Sequence, residues 1–344
     1  MQRVTLKEIA SACDYSLMTV SYALRNHPKI PLLTREKIQA VARQLGYVPD
    51  PMLNALVGYR EGLKRPDYRN TLGFVSNWSQ PARQAWAHFA PLLAYFDGAK
   101  ERASEMGYEL EEFWLKERGM NPRRLSNILR SRGIRGLIIG PMLASRSRLD
   151  LAWEHFSAVA LDRSLVKPML DHVTSNNASA IELVWHQLLH AKVKRVGLIQ
   201  MRNGNERAGY YFQSFHELWQ RRYQNLVHEV PTLILPDDLN SRQEEETILR
   251  WYELHRPEVL LGFNMTYIAL LERAGYRLHK DFRFIHLDLH PSDLPLSGIQ
   301  QHPHKIGATA VEQLHLLLQK NAYGLPKLPQ STLVGVNWES GQTF

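Results

Sequence analysis

From residue 72 onward, short apolar runs alternate with helical stretches, and near residue 173 the alternation starts again. Runs at 72–76, 108–113, 136–140 and 158–162 are separated by helical periodicity near 83–106 and 121–132. A second series has runs at 173–175, 195–200, 232–235, 259–263 and 284–289, helical stretches near 177–191, 205–222 and 241–255, and a last run at 333–336. Parallel strands need crossovers long enough to be helices, so this alternation predicts α/β architecture with doubly wound parallel sheets. Two series in tandem predict two lobes.

Ligands of such sheets sit beyond the carboxyl ends of the strands, in the crevice where lobes meet. The polar residues that follow the predicted strands are the candidate ligand contacts: Asn77, Trp78, Asp162 with Arg163, the 202–207 loop ending at Arg207, Asn264 and Asp288. Asp, Asn and Arg edges beside an aromatic platform such as Trp78 suit the hydroxyls and apolar face of a sugar. A saccharide is therefore the first choice of ligand, with a nucleobase or another small metabolite left open.

The chain has 344 residues, 44% of them hydrophobic and 22% charged, which is the balance of an ordinary globular protein large enough for two or three cores. A single cysteine, Cys13, excludes an internal disulfide and any cysteine-built metal site within one chain. No eighteen apolar residues run together, and the first eight residues lack the apolar core of an export signal. A reducing, cytoplasmic location without a membrane span is expected.

The net charge is +8, and residues 1–65 hold ten Lys and Arg against five acids, so more than half of the excess lies in under a fifth of the chain. Charge asymmetry of this kind suits an end that binds a polyanion. Thr5-Leu6-Lys7-Glu8 reads as a capping box that starts a helix at Leu6, with Leu6, Ile9, Ala10 and Cys13 on one face. Asp14-Tyr15 forms a turn, and Ser16 caps a second helix. Val20, Ala23 and Leu24 make its buried stripe, which leaves Leu17, Met18, Ser21 and Tyr22 for a partner. A third helix is expected from a Thr34 cap, with Ile38, Val41, Ala42 and Leu45 inward, ending at Gly46.

A helix, a tight turn and a second helix with one non-core face is the geometry that enters a major groove. The blocks Val4-Thr5-Leu6-Lys7-Glu8-Ile9-Ala10, Thr19-Val20-Ser21, Thr34-Arg35-Glu36-Lys37-Ile38 and Leu45-Gly46-Tyr47-Val48-Pro49 resemble, in order and spacing, the LacI/GalR family of repressors. The resemblance implies a helix-turn-helix DNA-binding domain at 1–49, with Thr5, Ser16, Leu17, Met18, Thr19, Ser21, Tyr22 and Thr34 on DNA. Where base edges are read, Leu17, Met18 and Tyr22 replace the Arg, Gln or Asn of bidentate readout, so thymine methyl contacts and a tyrosine hydroxyl are expected instead.

Asp50-Pro51 opens a further two-turn helix that Gly58 ends. By resemblance, 50–69 is the family's hinge helix and linker, with Leu56 as the minor-groove wedge that kinks DNA. The remaining 70–344 resembles the family's effector-binding and dimerisation domain, similar to periplasmic sugar-binding proteins. Its first subdomain is placed at about 70–175 and 298–322, and its second at about 176–297 and 323–344. Arg207 and Asp288 match the family's effector-binding arginine and aspartate, whereas Phe263-Asn264-Met265-Thr266-Tyr267 departs from the usual Asn-Asp pattern.

The expected function is a homodimeric transcriptional regulator, a repressor, on a near-palindromic double-stranded operator, controlled by a small-molecule effector and using no cofactor or catalytic residue. Gly-x-Ser-x-Gly, Walker-type and Gly-x-Gly-x-x-Gly patterns are missing. Two rivals are weighed. A metal-dependent enzyme would need His286-Leu287-Asp288-Leu289-His290, alternating on a strand, to hold a cation with His302 or His304. A solute-binding protein would need an export signal and no basic helical head.

Overall fold

The computed structural model describes residues 4–25, 27, 29–47, 70–78, 90–290 and 295–344. The expected hinge helix, with Leu56, lies outside them. Near the N-terminus, α1 (Leu6–Cys13), α2 (Leu17–Leu24) and α3 (Leu32–Gln44) pack around Ile9, Ala10, Cys13, Val20, Ala23, Ile38 and Ala42. The capping box is present: the Thr5 amide donates to Glu8 Oε2 at 2.6 Å, and the Glu8 amide donates to Thr5 Oγ1 at 3.4 Å. These bonds hold the Glu8 carboxyl below its ordinary range. Asp14 takes the left-handed turn at φ 58°, and Ser16 Oγ accepts from the Thr19 amide at 3.1 Å.

Two expectations fail here. Helix α3 starts two residues before Thr34, at Leu32, with Pro31 as its N-cap and no side-chain cap. The φ of Pro31, −56°, already suits helix entry, so no hydroxyl is required, and Thr34 sits inside the first turn. Leu45 is 40% exposed, because the helix ends at Gln44 and the chain turns away through Gly46 at φ +73°.

The body is built on two six-stranded sheets. The first has the order β13-β7-β5-β3-β1-β2, from β1 (Asn70–Ser76), β2 (Tyr108–Trp114), β3 (Gly136–Ile139), β5 (Ser157–Leu161), β7 (Asp171–Ser175) and β13 (Ser331–Val334), and all its neighbours are parallel. On one face lie α4 (Ala90–Glu105) and α11 (Pro303–Gln319), burying Phe74, Phe96, Ala99, Val159, Val311 and Leu314. Helix α5 (Pro122–Ser131) covers the other face through Leu125 and Leu129 against Phe113, Ile139 and Phe156. A small pair, β4 (Ser147–Arg148) and β6 (Leu165–Lys167), flanks this lobe.

The second sheet has the order β14-β12-β11-β10-β8-β9, from β8 (Val196–Met201), β9 (Leu233–Leu235), β10 (Val259–Gly262), β11 (Arg283–His286), β12 (Gly298–Gln300) and β14 (Asn337–Glu339). Only the β12–β14 pair is antiparallel. Helices α6 (Asn177–His190) and α8 (Tyr211–Arg222) pack on one face through Trp185, Leu188 and Phe212. On the other lie α9 (Ser241–His255) and α10 (Thr266–Arg273), with Trp251, Tyr252, Tyr267 and Leu271 buried. The single stretch expected at 205–222 is two helices, because Gly209 and Tyr210 are both left-handed, at φ 64° and 61°. The first piece, α7 (Arg202–Arg207), therefore ends on Arg207.

The expected subdomain division is corrected by the strand order. Residues 298–300 were placed with the first lobe, but β12 bonds beside β11 in the second; 331–334 were placed with the second, but β13 bonds beside β7 in the first. The chain thus crosses between lobes after β7, after β12 and after β13. Periodicity reveals that a strand exists, but its partner is fixed by which sheet edge lies within reach.

Candidate functional site

Between the lobes, at the carboxyl ends of β1, β5, β8, β10 and β11, lies a cavity of about 810 Å³. That is the size range of small-molecule sites. Its walls include Trp78, Tyr95, Asp162, Asn177, Gln200, Arg207, Phe212, Asp237, Glu244, Phe263, Asn264, Tyr267 and Asp288. Five of the six expected effector contacts are among them.

Asp162 and Arg207 join the two lobes. Asp162 follows β5 in a left-handed conformation at φ 57°, which turns its carboxylate towards the cleft. Oδ1 accepts from the Ser164 amide and hydroxyl, both at 2.6 Å, while Oδ2 accepts from Arg207 Nη2 at 3.0 Å. The pair is about 15% exposed on each side. Arg207 also donates to the Leu143 carbonyl and lies 5.9 Å from the Trp78 ring centroid. Trp78 is fixed in turn, donating to the Pro141 carbonyl at 2.7 Å.

Asp288 lies past the end of β11. The expected strand 284–289 stops at His286, so His286, Asp288 and His290 do not alternate along a strand; the Asp288 amide donates to His286 Nδ1 and the His290 ring stands 4.0 Å from Asp288 Oδ2. Among the described residues, no group of three or more His, Cys, Asp or Glu is arranged to hold a metal ion. Burial, then the carboxylates of Asp288 and Asp162, push the Tyr95 phenol far above its ordinary range, so it is a neutral donor at the cavity.

Asn77 does not line the cavity. Its Oδ1 accepts from the Leu143 amide at 2.8 Å, which holds the loop above the cleft. Asn264 lies on the wall, exposed, with Oδ1 accepting from the Thr266 amide at the start of α10. Sequence reasoning missed Tyr95, Asn177, Gln200, Asp237 and Glu244. Gln200 alone carried a signal, a polar residue closing the apolar run 195–200.

In the head, Leu17 is 51% and Met18 65% exposed, so α2 presents two apolar side chains away from its core. The hydroxyls of Thr5, Ser16 and Thr19 are engaged in capping contacts, and Ser21 Oγ accepts from Arg25 at 3.0 Å. The Tyr22 ring stacks on His27, with centroids 4.3 Å apart. Thr34 is half-buried within α3.

A helix-turn-helix head, a two-lobed α/β body and a cavity between the lobes define the chain's class by fold. Residues 5–50 match the model of the family described as bacterial regulatory proteins, lacI family. The transcriptional regulator PtxS of Pseudomonas plecoglossicida is 27% identical over 184 residues, covering 52% of this chain and 48% of that one. The transcriptional repressor CytR of Escherichia coli is 23% identical over 320 residues, 89% of this chain and 87% of that one. In fold, the chain is similar to the regulator CelR in its cellobiose complex, with TM-score 0.64 and 15% identity over 99% of this chain and all of that one. It is likewise similar to the lac repressor dimer bound to operator and the anti-inducer ONPF, with TM-score 0.58 and 18% identity over 99% of both chains. The head is thus a helix-turn-helix of the lacI-family type, and the chain as a whole is similar to LacI-type transcriptional regulators in sequence and fold.

Proposed function

We propose that the chain is a repressor that binds a near-palindromic operator as a homodimer and is controlled by a saccharide in the inter-lobe cleft. The observation that carries the reading is the Asp162–Arg207 ion pair, because it joins a residue of each lobe at the cavity wall. A ligand that engages these two groups changes how the lobes are held together, and so the geometry of whatever the lobes support. The cellobiose bound by CelR favours a sugar here, as does the Trp78 platform. The head supplies groove entry through Leu17, Met18 and Tyr22, and a two-fold dimer doubles the contacts of a weak half-site reader. The segment 50–69, with Leu56, would link head to body as a hinge.

The test is an operator mobility-shift titration with a sugar panel, on wild type and Arg207→Ala. The variant should still bind operator, at an affinity shifted from wild type because the lobe-joining pair is gone, and should lose its response to the sugar. A response unchanged in midpoint and amplitude places the effector elsewhere.

A further inference from the structure

In the wall of the cleft, two buried amide side chains carry polar atoms without a protein partner. Gln200, the penultimate residue of β8, is 2% exposed, and neither its Oε1 nor its Nε2 has a hydrogen-bonding group of the chain within reach. Asn177, at the start of α6, is 8% exposed, and its Oδ1 is likewise unpartnered. Both line the cavity. Buried amides in folded chains are normally hydrogen-bonded, because desolvating one without a partner is costly. Other polar side chains nearby are used within the fold: Gln301 donates to the Leu287 carbonyl, and Ser175 donates to the Gln301 carbonyl.

We propose that Gln200, supported by Asn177, is the specificity-determining reader of the effector, taking an uncharged ligand that offers a hydrogen-bond donor and an acceptor side by side. This rests on the cleft being the effector site. A primary amide presents one acceptor and a two-hydrogen donor in one plane, so it pairs two-point with a vicinal diol or with the amide-like edge of a nucleobase. The charge on the described walls favours a neutral ligand over an anion. Asp162, Asp237, Glu244 and Asp288 face a single guanidinium, Arg207, and that group is already bonded to Asp162.

The experiment compares wild type with Gln200→Met, of similar length and volume but without the amide, by thermal unfolding of the full-length protein. It is run alone and with glucose, galactose, cellobiose, cytidine, adenosine and glucose 6-phosphate. Without ligand, the variant should melt at the wild-type temperature or above, because no bond within the protein is lost. A fall of ~3 °C or more would mark Gln200 as structural and overturn the proposal. For any compound that raises the wild-type melting temperature, the variant should bind about tenfold or more weakly. Undiminished binding there overturns it as well. A sugar or a nucleoside among the binders tells the two neutral sources apart, and glucose 6-phosphate binding more tightly than glucose contradicts the charge argument. Failure of the cleft reading itself shows differently: a binder whose effect survives both Gln200→Met and Arg207→Ala.

Discussion

A neutral imidazole packed under an indole makes this fold sensitive to acid. His216, on α8, is fully buried, its ring centroid 5.5 Å from that of Trp185, which stacks in turn on Trp219. Burial pushes its pKa down from 6.5 to about 3. Above pH 6.5 the ring is neutral in both folded and unfolded chains and contributes nothing to pH dependence. Between pH 6.5 and about 3 only the unfolded chain takes the proton, so stability falls with pH by up to about 1.4 kcal/mol per unit from this one group. His216→Leu keeps the volume and removes the proton. Urea unfolding at pH 6.5 and pH 4.5 should therefore find the variant gaining on wild type by about 2 kcal/mol over that interval. Parallel curves would mean that the ring is already charged in the fold.

At the scale of elements, α4 and α11 approach backbone to backbone in the first lobe. A Cβ on Gly98 would collide with the His304 carbonyl, and one on Gly307 with the Tyr95 carbonyl, so both contacts are backbone against backbone. Gly98→Ala should cost about 1–3 kcal/mol, since the helices must part and uncover Phe96 and Val311. Gly204→Ala, in α7 with nothing near the added carbon, should stabilise by up to about 1 kcal/mol through helix propensity. Opposite signs in thermal unfolding check both, and a destabilising Gly204→Ala would contradict the packing given to α7. Much at this scale was legible because it is local. The Thr5 box, the Asp14 turn, the Ser16 cap and the stop at Gly46 each depend on residues within one turn, and the two lobes follow from a period repeated along the chain. The start of α3 was misread because Pro31 sets the backbone without a hydroxyl. The strand at 331–334 was assigned to the wrong lobe because pairing is a property of the assembled sheets. Gln200, Asn177 and Tyr95 went unseen for a related reason, since burial without a partner exists only once the lobes have met. Asn77 was misread in the opposite sense: a polar residue after a strand was expected to meet ligand, and instead it holds the 143 loop.

At the scale of the whole molecule, the lobes are joined by more than the Asp162–Arg207 pair. The loop above the cleft reaches from the first lobe to α7 of the second, where the Ser145 amide donates to Asn203 Oδ1 at 2.7 Å and its hydroxyl donates to Glu206 Oε2 at 2.6 Å. Asn203 is steadied from behind, its own amide donating to Asp237. Ser145 is 8% exposed, so the carboxylate bond is shielded and of the charge-assisted kind. Ser145 and Glu206 lie off the cavity wall, while Asn203 and Asp237 are on it, and these contacts hold the lobes together whether or not a ligand is present. A ligand that closes the cleft gains only the difference between its contacts with the closed and open forms, so a fold already latched needs less from it. Ser145→Ala removes the hydroxyl bond and leaves the loop backbone intact. Loss of one such bond should shift the closed-to-open ratio roughly tenfold towards open. The ligand-free variant should then show a larger radius of gyration in small-angle scattering than wild type, and any cleft ligand should bind it more weakly while restoring the wild-type radius at saturation. An unchanged radius together with unchanged ligand affinity would mean that the three crossovers between the lobes, and not this latch, set the closure.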